Sequence, residues 1–135
     1  MTRYAVRRSA DGLVVASGEP LADVLDAATG QVVLDVAPDP GGPSDAAALV
    51  ALLAGRSDDV VVASFDWYAL ALARDAGLRT AFRTPEGVAL SAALAYVTEA
   101  GHAECHPHVS AVREDPAAAE AAGIPVVPWD ELDDD

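Results

Sequence analysis

The sequence predicts an α/β fold built on a mostly parallel sheet. Short Val-rich runs alternate with Ala- and Leu-rich stretches of helical length from residue 32 onward. The clearest strand candidates, residues 32–36 and 60–65, are nearly continuous apolar runs, which is typical of parallel strands covered on both faces. The chain has 135 residues, 52% of them hydrophobic, which suits one domain with a substantial core.

A β-hairpin is predicted at the front of the chain. Residues 4–9 and 13–17 have the composition of strands, and they flank the pair formed by Asp11 and Gly12. An Asp-Gly pair between two such runs favours a tight antiparallel turn, because Gly adopts the left-handed backbone that this turn requires.

Helices and strands alternate beyond the hairpin. Asp66 is a favourable N-cap for a helix that begins at Trp67. Pro85 suits the first turn of another helix, which ends before Gly101. With the apolar runs, these signals predict helices at 21–28, 45–54, 67–76, 85–100 and 116–122, and strands at 32–36, 60–65, 79–83, 104–109 and 124–129.

Two architectures satisfy this order of elements, an open sheet with helices on both faces or a (β/α) barrel. A complete eight-fold barrel typically needs about 250 residues, so a barrel of this length would be an incomplete one. We expect a single α/β domain over residues 1–129, followed by a solvated acidic tail over residues 130–135.

The charge of the chain excludes some partners and indicates an environment. There are 22 acidic residues against 8 basic ones, all Arg, and the formal net charge is −14. Such a charge repels nucleic acid and anionic membrane surfaces, so no nucleic-acid partner is expected. Concentrated salt would screen the repulsion among the carboxylates, which favours a salt-adapted, halophilic host.

The cysteine content and the lack of long apolar runs indicate where in the cell the protein resides. Cys105 is the single cysteine, which excludes an internal disulfide framework and a Cys-rich zinc module. No apolar run approaches the roughly 20 residues of a membrane span, and the first residues lack the apolar core of a signal peptide. We therefore expect a cytoplasmic protein.

Four segments resemble, in order, motifs of the glycerophosphodiester phosphodiesterase family. Residues 62–66, Val-Ala-Ser-Phe-Asp, are similar to that family's Ser-Ser-Phe-Asp at a strand-to-helix junction. Residues 6–15 resemble its Asp-Val-Arg-x-Thr-x-Asp-Gly-x-Leu-Val-Val hairpin. Residues 18–27 and 123–130 are similar to its Pro-Thr-Leu-x-Glu-Val-Leu segment and its closing Gly-x-x-Val-x-x-Trp-Thr strand. The resemblance implies a reduced or incomplete, TIM-like (β/α) barrel with parallel strands and a front β-hairpin.

The same resemblance implies that the family's catalytic residues are mostly not kept. The family's opening His-Arg-Gly strand would precede the first residue of this sequence. Arg3 and Ala5 stand at the places of its metal-binding Glu-x-Asp, and Ser17 and Gly18 at that of its second catalytic His. Of its Glu-Leu-Lys strand, only Asp35 keeps a carboxylate. A Mg²⁺ or Ca²⁺ ion is therefore expected only if activity remains, since such ions need several converging oxygens.

Five residues are candidates for a residual pocket: Asp35, Ser64, His106, His108 and Trp129. Positions 106 and 108 alternate on a predicted strand, so both imidazoles would point to one face and would be able to face a pocket or a metal. The simpler interpretation is structural, with polar groups at strand ends and Trp129 in the core. We favour that interpretation, because a protein metal site needs three or four converging ligands.

The sequence predicts a glycerophosphodiester phosphodiesterase-like pseudoenzyme that lacks most catalytic residues, has no cofactor, and is a non-catalytic remnant or a binding protein. One alternative is a weakly active metal-dependent phosphodiesterase that uses Asp35, His106 and His108. Another is a structural subunit that forms a homodimer through the front hairpin or pairs with a full-length relative. The ligand is not identifiable from the sequence.

Overall fold

A computed structural model describes residues 2–10, 12–36, 44–54, 56 and 59–131. The elements alternate as the sequence predicts. Within these residues the strands are β1 (Thr2–Ser9), β2 (Gly12–Val15), β3 (Val32–Val36), β4 (Val60–Ser64), β5 (Arg79–Arg83) and β6 (Glu104–His106). The helices are α1 (Leu21–Ala27), α2 (Ser44–Leu53), α3 (Trp67–Asp75), α4 (Leu90–Ala100), α5 (Val109–Glu114) and α6 (Pro116–Ala121).

The strands form one six-stranded sheet in the order β2-β1-β3-β4-β5-β6. β1 and β2 pair antiparallel as the predicted hairpin, and every later pairing is parallel. Asp11 of the predicted turn lies outside the described residues. Gly12 follows with φ of 120°, in the left-handed half of backbone space that favours glycine. The predicted α/β class and parallel sheet are therefore confirmed.

Helices pack against one face of the sheet. Leu21 of α1, Leu53 of α2 and Leu70 of α3 are fully buried against the side chains of β3 and β4 that point outward, such as Leu34 and Val62. α4 and α5 form a second cluster around Cys105. The opposite, inner face carries a small apolar cluster at alternate positions, namely Val33, Val61, Ala63 and Ala81.

The sheet is strongly curled around this inner face. Arg3 lies on β1 and His106 on β6, with three strands between them, yet Nη2 of Arg3 is 2.8 Å from Nδ1 of His106. Neighbouring strands lie about 4.8 Å apart, so a flat sheet would separate these two backbones by about 19 Å. Side chains from both ends of the sheet meet only because the sheet bends toward a barrel.

A last extended segment continues the curl beyond β6. Val126 bridges Cys105 and Trp129 bridges His108, both in the parallel sense. The predicted strand at 124–129 is thus reduced to two isolated bridges, since Pro125 and Pro128 cannot donate to a ladder. Among the described residues, no pairing joins this segment back to β2, so the strands curl without a closing ladder.

The predicted element ends were wrong at two places. α4 begins at Leu90 rather than near Pro85, because the chain first makes a turn at Glu86 and Gly87, where Gly87 takes a φ of 95°. The predicted strand at 104–109 ends at His106, and Val109 already belongs to α5, which the sequence analysis missed. Pro107 favours this early end, since it has no amide hydrogen to offer a ladder.

The free edge of the hairpin is partly occupied by the chain itself. The amide of Val15 donates to the carbonyl of Glu19, and Val14 bridges Pro20. These contacts occupy Val14 and Val15, the last two residues of β2, and leave its first two residues without them.

Of the predicted acidic tail, Asp130 and Glu131 are described and 132–135 lie outside the described residues. No helix in the described ranges has the length and apolar character of a membrane span.

Candidate functional site

The inner face of the curled sheet carries charged side chains where a closed barrel would hold its core. All are buried except Arg79, whose side chain is 42% exposed, and each belongs to a strand. We call them the interior network: Arg3, Asp35, Arg79, Arg83, Glu104 and His106. Side chains along a strand point alternately to the two faces of the sheet, and paired residues of neighbouring strands share a face. Asp35 is paired with Ala5 and His106 with Arg83, so each pair points to the inner face.

Asp35 is held between two arginines. Nε and Nη2 of Arg3 donate to its two carboxylate oxygens at 2.6 and 3.0 Å, in the bidentate geometry that arginine favours. Nη1 of Arg83 lies 3.4 Å from the same carboxylate. Asp35 is only 3% exposed. Its negative charge is therefore matched by positive charge on two sides, away from solvent.

His106 joins the two ends of the network. Arg3 can only donate, so Nδ1 of His106 accepts its hydrogen bond, and Nε2 then donates to Oε1 of Glu104 at 2.8 Å. Burial is the main cause that holds the pKa of His106 below its ordinary value of 6.5. The charges of Arg3 and Arg83 act in the same direction, and Glu104 opposes them. This ring is neutral and its tautomer is fixed by its partners.

Glu104 closes the network at the amino-terminal end of the strands. Its second oxygen accepts from Nε of Arg79 at 2.7 Å. Burial would raise the pKa of this carboxyl, but hydrogen bonds from His106 and Arg79 outweigh it and lower the pKa below the ordinary value. The carboxylate therefore stays ionised and structural.

A second set of side chains forms the mouth, the carboxyl-terminal end of the curled sheet. It is made by Phe65, Arg83, His108 and Trp129. The guanidinium of Arg83 lies over the rings of Phe65 and Trp129, at 4.8 and 4.3 Å from their centroids. Nε1 of Trp129 donates to the carbonyl of Thr84 at 2.8 Å. Cation–π contacts and this hydrogen bond fix the last segment of the chain against β5.

His108 lies at the rim of the mouth and caps α5. Its Nδ1 accepts from the amide of Ser110 at 3.2 Å and lies 2.8 Å from the Ser110 hydroxyl. Its Nε2 is 2.8 Å from Oε1 of Glu131, and a carboxylate oxygen of Glu86 lies 3.7 Å from Nδ1. One ligand atom from each of the three residues lies within 4.8 Å of the other two.

The predicted pocket residues divide among three surroundings. Asp35 and His106 belong to the interior network, joined through Arg3. His108 and Trp129 pack edge to face at the mouth, with ring centroids 4.7 Å apart. Ser64 points to the helix-covered face, where its hydroxyl donates to the carbonyl of Val36 at 2.6 Å and accepts from the amide of Asp66.

The sequence analysis named Arg3 but missed the two other cationic residues of the network, Arg79 and Arg83. Arg79 and Arg83 lie four positions apart on a strand that was predicted correctly. Side chains alternate between the faces of a strand, so the sequence could have shown that these two share a face. Their contacts in the network could not be predicted from the sequence, because these depend on the curl that brings β1 close to β6. Glu131 was placed in a solvated tail, and the structure brings it to His108.

Cys105 is fully buried and faces the helices rather than the network. Burial raises the pKa of its thiol to about 11, so it remains protonated at neutral pH. It is an apolar core residue, as the sequence predicts.

A separate depression of about 260 Å³ lies at the opposite, amino-terminal end of the strands. It is lined by Leu25, Ala28, Gly30, Val32, Arg56, Asp59 and Val60. Its charged lining residues are Arg56, which pairs with the exposed Asp26, and Asp59, which is exposed. Ligand sites of α/β folds form at the carboxyl ends of the strands, which favours the mouth.

The inner face does not suit the divalent ion that a phosphodiesterase of the resembled family would use. Among the described residues, the end of β3 offers one carboxylate, that of Asp35, and Arg3 binds both of its oxygens. A hard cation at Asp35 would have to displace two guanidinium groups, and such ions take six or more oxygens.

The fold has a counterpart among solved structures. A crystal structure of a glycerophosphodiester phosphodiesterase from Parabacteroides distasonis matches with a TM-score of 0.74 and 15% sequence identity, over 94% of this chain and 69% of that chain. At that identity the likeness shows the fold. No protein-family model matches the sequence. No curated protein matches it either.

Proposed function

We propose that this protein is a non-catalytic relative of the glycerophosphodiester phosphodiesterases, a barrel-like binding protein that does not hydrolyse phosphodiesters. Two independent observations support the relationship. Four segments of the sequence resemble motifs of that family in order, and a structure of such an enzyme shares the fold over 94% of the chain. The relationship supplies the scaffold and the expectation that ligands approach at the mouth.

The loss of hydrolysis rests on one observation, the occupation of Asp35 by Arg3 and Arg83. Phosphodiester hydrolysis by a metal enzyme needs an ion to neutralise the phosphate and an accessible acid–base pair. Arg3 places a positive charge on the carboxylate that would have to bind the ion. His106, the nearest imidazole, is fully buried and held by Arg3 and Glu104.

A phosphodiesterase assay tests this proposal. The protein, folded in molar NaCl, is incubated with glycerophosphodiesters and with Mg²⁺, Ca²⁺, Mn²⁺ or Zn²⁺, next to an active enzyme of the family in the same buffers. We expect no release of glycerol phosphate above the protein-free reaction. Metal-dependent release that disappears in Asp35→Asn, while Asp26→Asn retains it, would overturn the proposal and favour the weakly active alternative.

A further inference from the structure

We propose that Glu86, His108 and Glu131 form a binding site for one divalent transition-metal ion, Zn²⁺ first, at the rim of the mouth. The three residues come from separate parts of the chain. Glu86 lies in the turn after β5, His108 follows β6, and Glu131 follows the last bridged segment. β5, β6 and the last segment are neighbours, which brings the three residues together, with one ligand atom of each within 4.8 Å of the others.

The spacing of these atoms fits a small ion. Zinc lies about 2.0–2.2 Å from nitrogen and carboxylate ligands, so tetrahedral ligand atoms stand roughly 3.4 Å apart. Nε2 of His108 is 2.8 Å from Oε1 of Glu131, and a carboxylate oxygen of Glu86 lies 3.7 Å from the other ring nitrogen, Nδ1. Both carboxylates are largely exposed, with 68% and 61% of their side chains accessible. Binding of an ion at Nε2 requires Glu86 to rotate toward this nitrogen and Glu131 to move back from its hydrogen-bond distance, and the exposure of both side chains allows these rotations.

The imidazole is the fixed member of the site. His108 is 5% exposed, packed edge to face against Trp129 and held as the N-cap of α5. When Nε2 binds an ion, the proton of the neutral ring lies on Nδ1; the Ser110 hydroxyl, 2.8 Å away, then accepts from Nδ1, and the longer contact of 3.2 Å from the Ser110 amide is given up. Ligand imidazoles in metal sites are oriented in this way by a partner on the other ring nitrogen.

Charge gives an independent reason for an ion at this place. Within the described residues, neither Glu86 nor Glu131 pairs with an arginine, and His108 is their shared partner. Two carboxylates that converge in a chain of net charge −14 repel each other at neutral pH. A divalent cation between them balances both charges.

The ligand set selects the class of metal. One imidazole nitrogen and two carboxylates suit a borderline transition ion, and three protein ligands leave a fourth position for water or a ligand group. Mg²⁺ and Ca²⁺ prefer all-oxygen sites with more ligands. The inference is independent of the proposed lack of hydrolysis, since the site lies outside the interior network and uses none of its residues.

Metal titration tests this site. Zn²⁺, Co²⁺, Mg²⁺ and Ca²⁺ are titrated calorimetrically in molar NaCl, which screens diffuse binding to the acidic surface. We expect one Zn²⁺ per chain and a Co²⁺ complex with the visible absorption of a low-coordinate site. Glu86→Gln, Glu131→Gln and His108→Asn should each weaken Zn²⁺ binding by more than about tenfold. Asn at 108 keeps an acceptor for the α5 cap.

The matched control is Glu99→Gln/Glu120→Gln, which removes two exposed carboxylates from α4 and α6. It should leave Zn²⁺ affinity within about twofold of the unmodified protein. Circular dichroism establishes that each variant is folded before titration. An equal loss in this control, retained affinity in both Glu86→Gln and Glu131→Gln, or equally tight Mg²⁺ binding would overturn the proposal.

Discussion

At the scale of single residues, Asp35 is the centre of the interior network. It is buried and shared by two guanidinium groups, so its removal leaves two positive charges without their counter-ion. Breaking a buried ion pair in this way costs about 3–5 kcal/mol, whereas exposed pairs contribute about 1 kcal/mol or less.

We therefore expect Asp35→Asn to lower the free energy of unfolding by about 3–5 kcal/mol. Arg3→Met should cost less, since Arg83 remains beside the carboxylate. Asp26→Asn, which breaks the exposed pair with Arg56, should cost under about 1 kcal/mol. Urea unfolding in molar salt measures all three. Equal small effects for Asp35→Asn and Asp26→Asn would show that the network is solvated.

His106 gives the protein a defined response to acid. Burial lowers its pKa from 6.5, so below about pH 6.5 the unfolded chain binds a proton that the folded chain still refuses. Stability should therefore fall as the pH falls from 6.5 to the lower pKa of the folded state. His102 adds to the same window, because burial and then Arg74 lower its pKa as well. Glu104, with a lowered pKa, adds a further loss below about pH 4.5.

The test compares His106→Gln with the unmodified protein in urea unfolding between pH 8 and pH 5. Gln offers an acceptor to Arg3 and a donor to Glu104, so the network keeps its hydrogen bonds. We expect a shallower loss of stability with falling pH in this variant, and a partial reduction in His102→Gln. An unchanged slope in His106→Gln would contradict the lowered pKa.

At the scale of elements, the best-predicted helix is α3, because its start depends on a local signal. Asp66 accepts from the amide of Tyr68 at 2.9 Å, which is the N-cap contact that the sequence indicates. Asp66→Ala should lower the free energy of unfolding by about 1 kcal/mol, and Asp66→Asn by much less, since Asn is an equally good cap. Denaturant unfolding compares the two. Equal losses would assign the effect to charge rather than to capping.

Other elements depended on contacts that are distant in sequence. Local signals placed Pro85 at a helix start, but a turn at Gly87 delays α4 to Leu90. Pro107 favours the early end of β6, and His108, the N-cap of α5, also bridges Trp129, which lies 21 positions later. Local propensity does not contain such pairings, so these boundaries were beyond the sequence.

The candidate site shows the same division between local and distant information. Asp35, His106, His108 and Trp129 were identifiable because unusual residue types end predicted strands. Which of them contact one another could not be predicted. His106 contacts Arg3 only because the sheet curls, since β1 and β6 are four positions apart in the strand order. Glu131 belongs to the acidic segment that the sequence predicts as a solvated tail, but in the structure it contacts the buried imidazole of His108.

At the scale of the whole molecule, net charge sets the conditions for stability. At low ionic strength the charge of −14 destabilises the compact state, and molar salt shortens the screening length to about 3 Å. We therefore expect the melting temperature to rise by several degrees between 0.05 M and 2 M NaCl. Replacing three exposed carboxylates, as in Glu99→Gln/Glu114→Gln/Glu120→Gln, should raise the low-salt melting temperature and reduce this rise. A melting temperature indifferent to salt would remove the case for a halophilic host.

The interior network links the shape of the molecule to the proposed absence of phosphodiester hydrolysis. A curled sheet with a charged interior needs each buried charge to be matched, and Arg3 and Arg83 meet this need at Asp35. The same pairing removes the carboxylate from metal chemistry. The proposed zinc site at His108 and its two glutamates lies outside this pairing.

The location of metal in crystals tests this account most directly. Crystals grown in Mn²⁺, as a stand-in for Mg²⁺, and in Zn²⁺ would be measured at the absorption edge of each metal. We predict an anomalous peak for Zn²⁺ between His108, Glu86 and Glu131, and no peak for either metal at Asp35. A Mn²⁺ or Zn²⁺ peak bound to Asp35, with Arg3 displaced, would contradict the account and restore the family's metal chemistry to this protein.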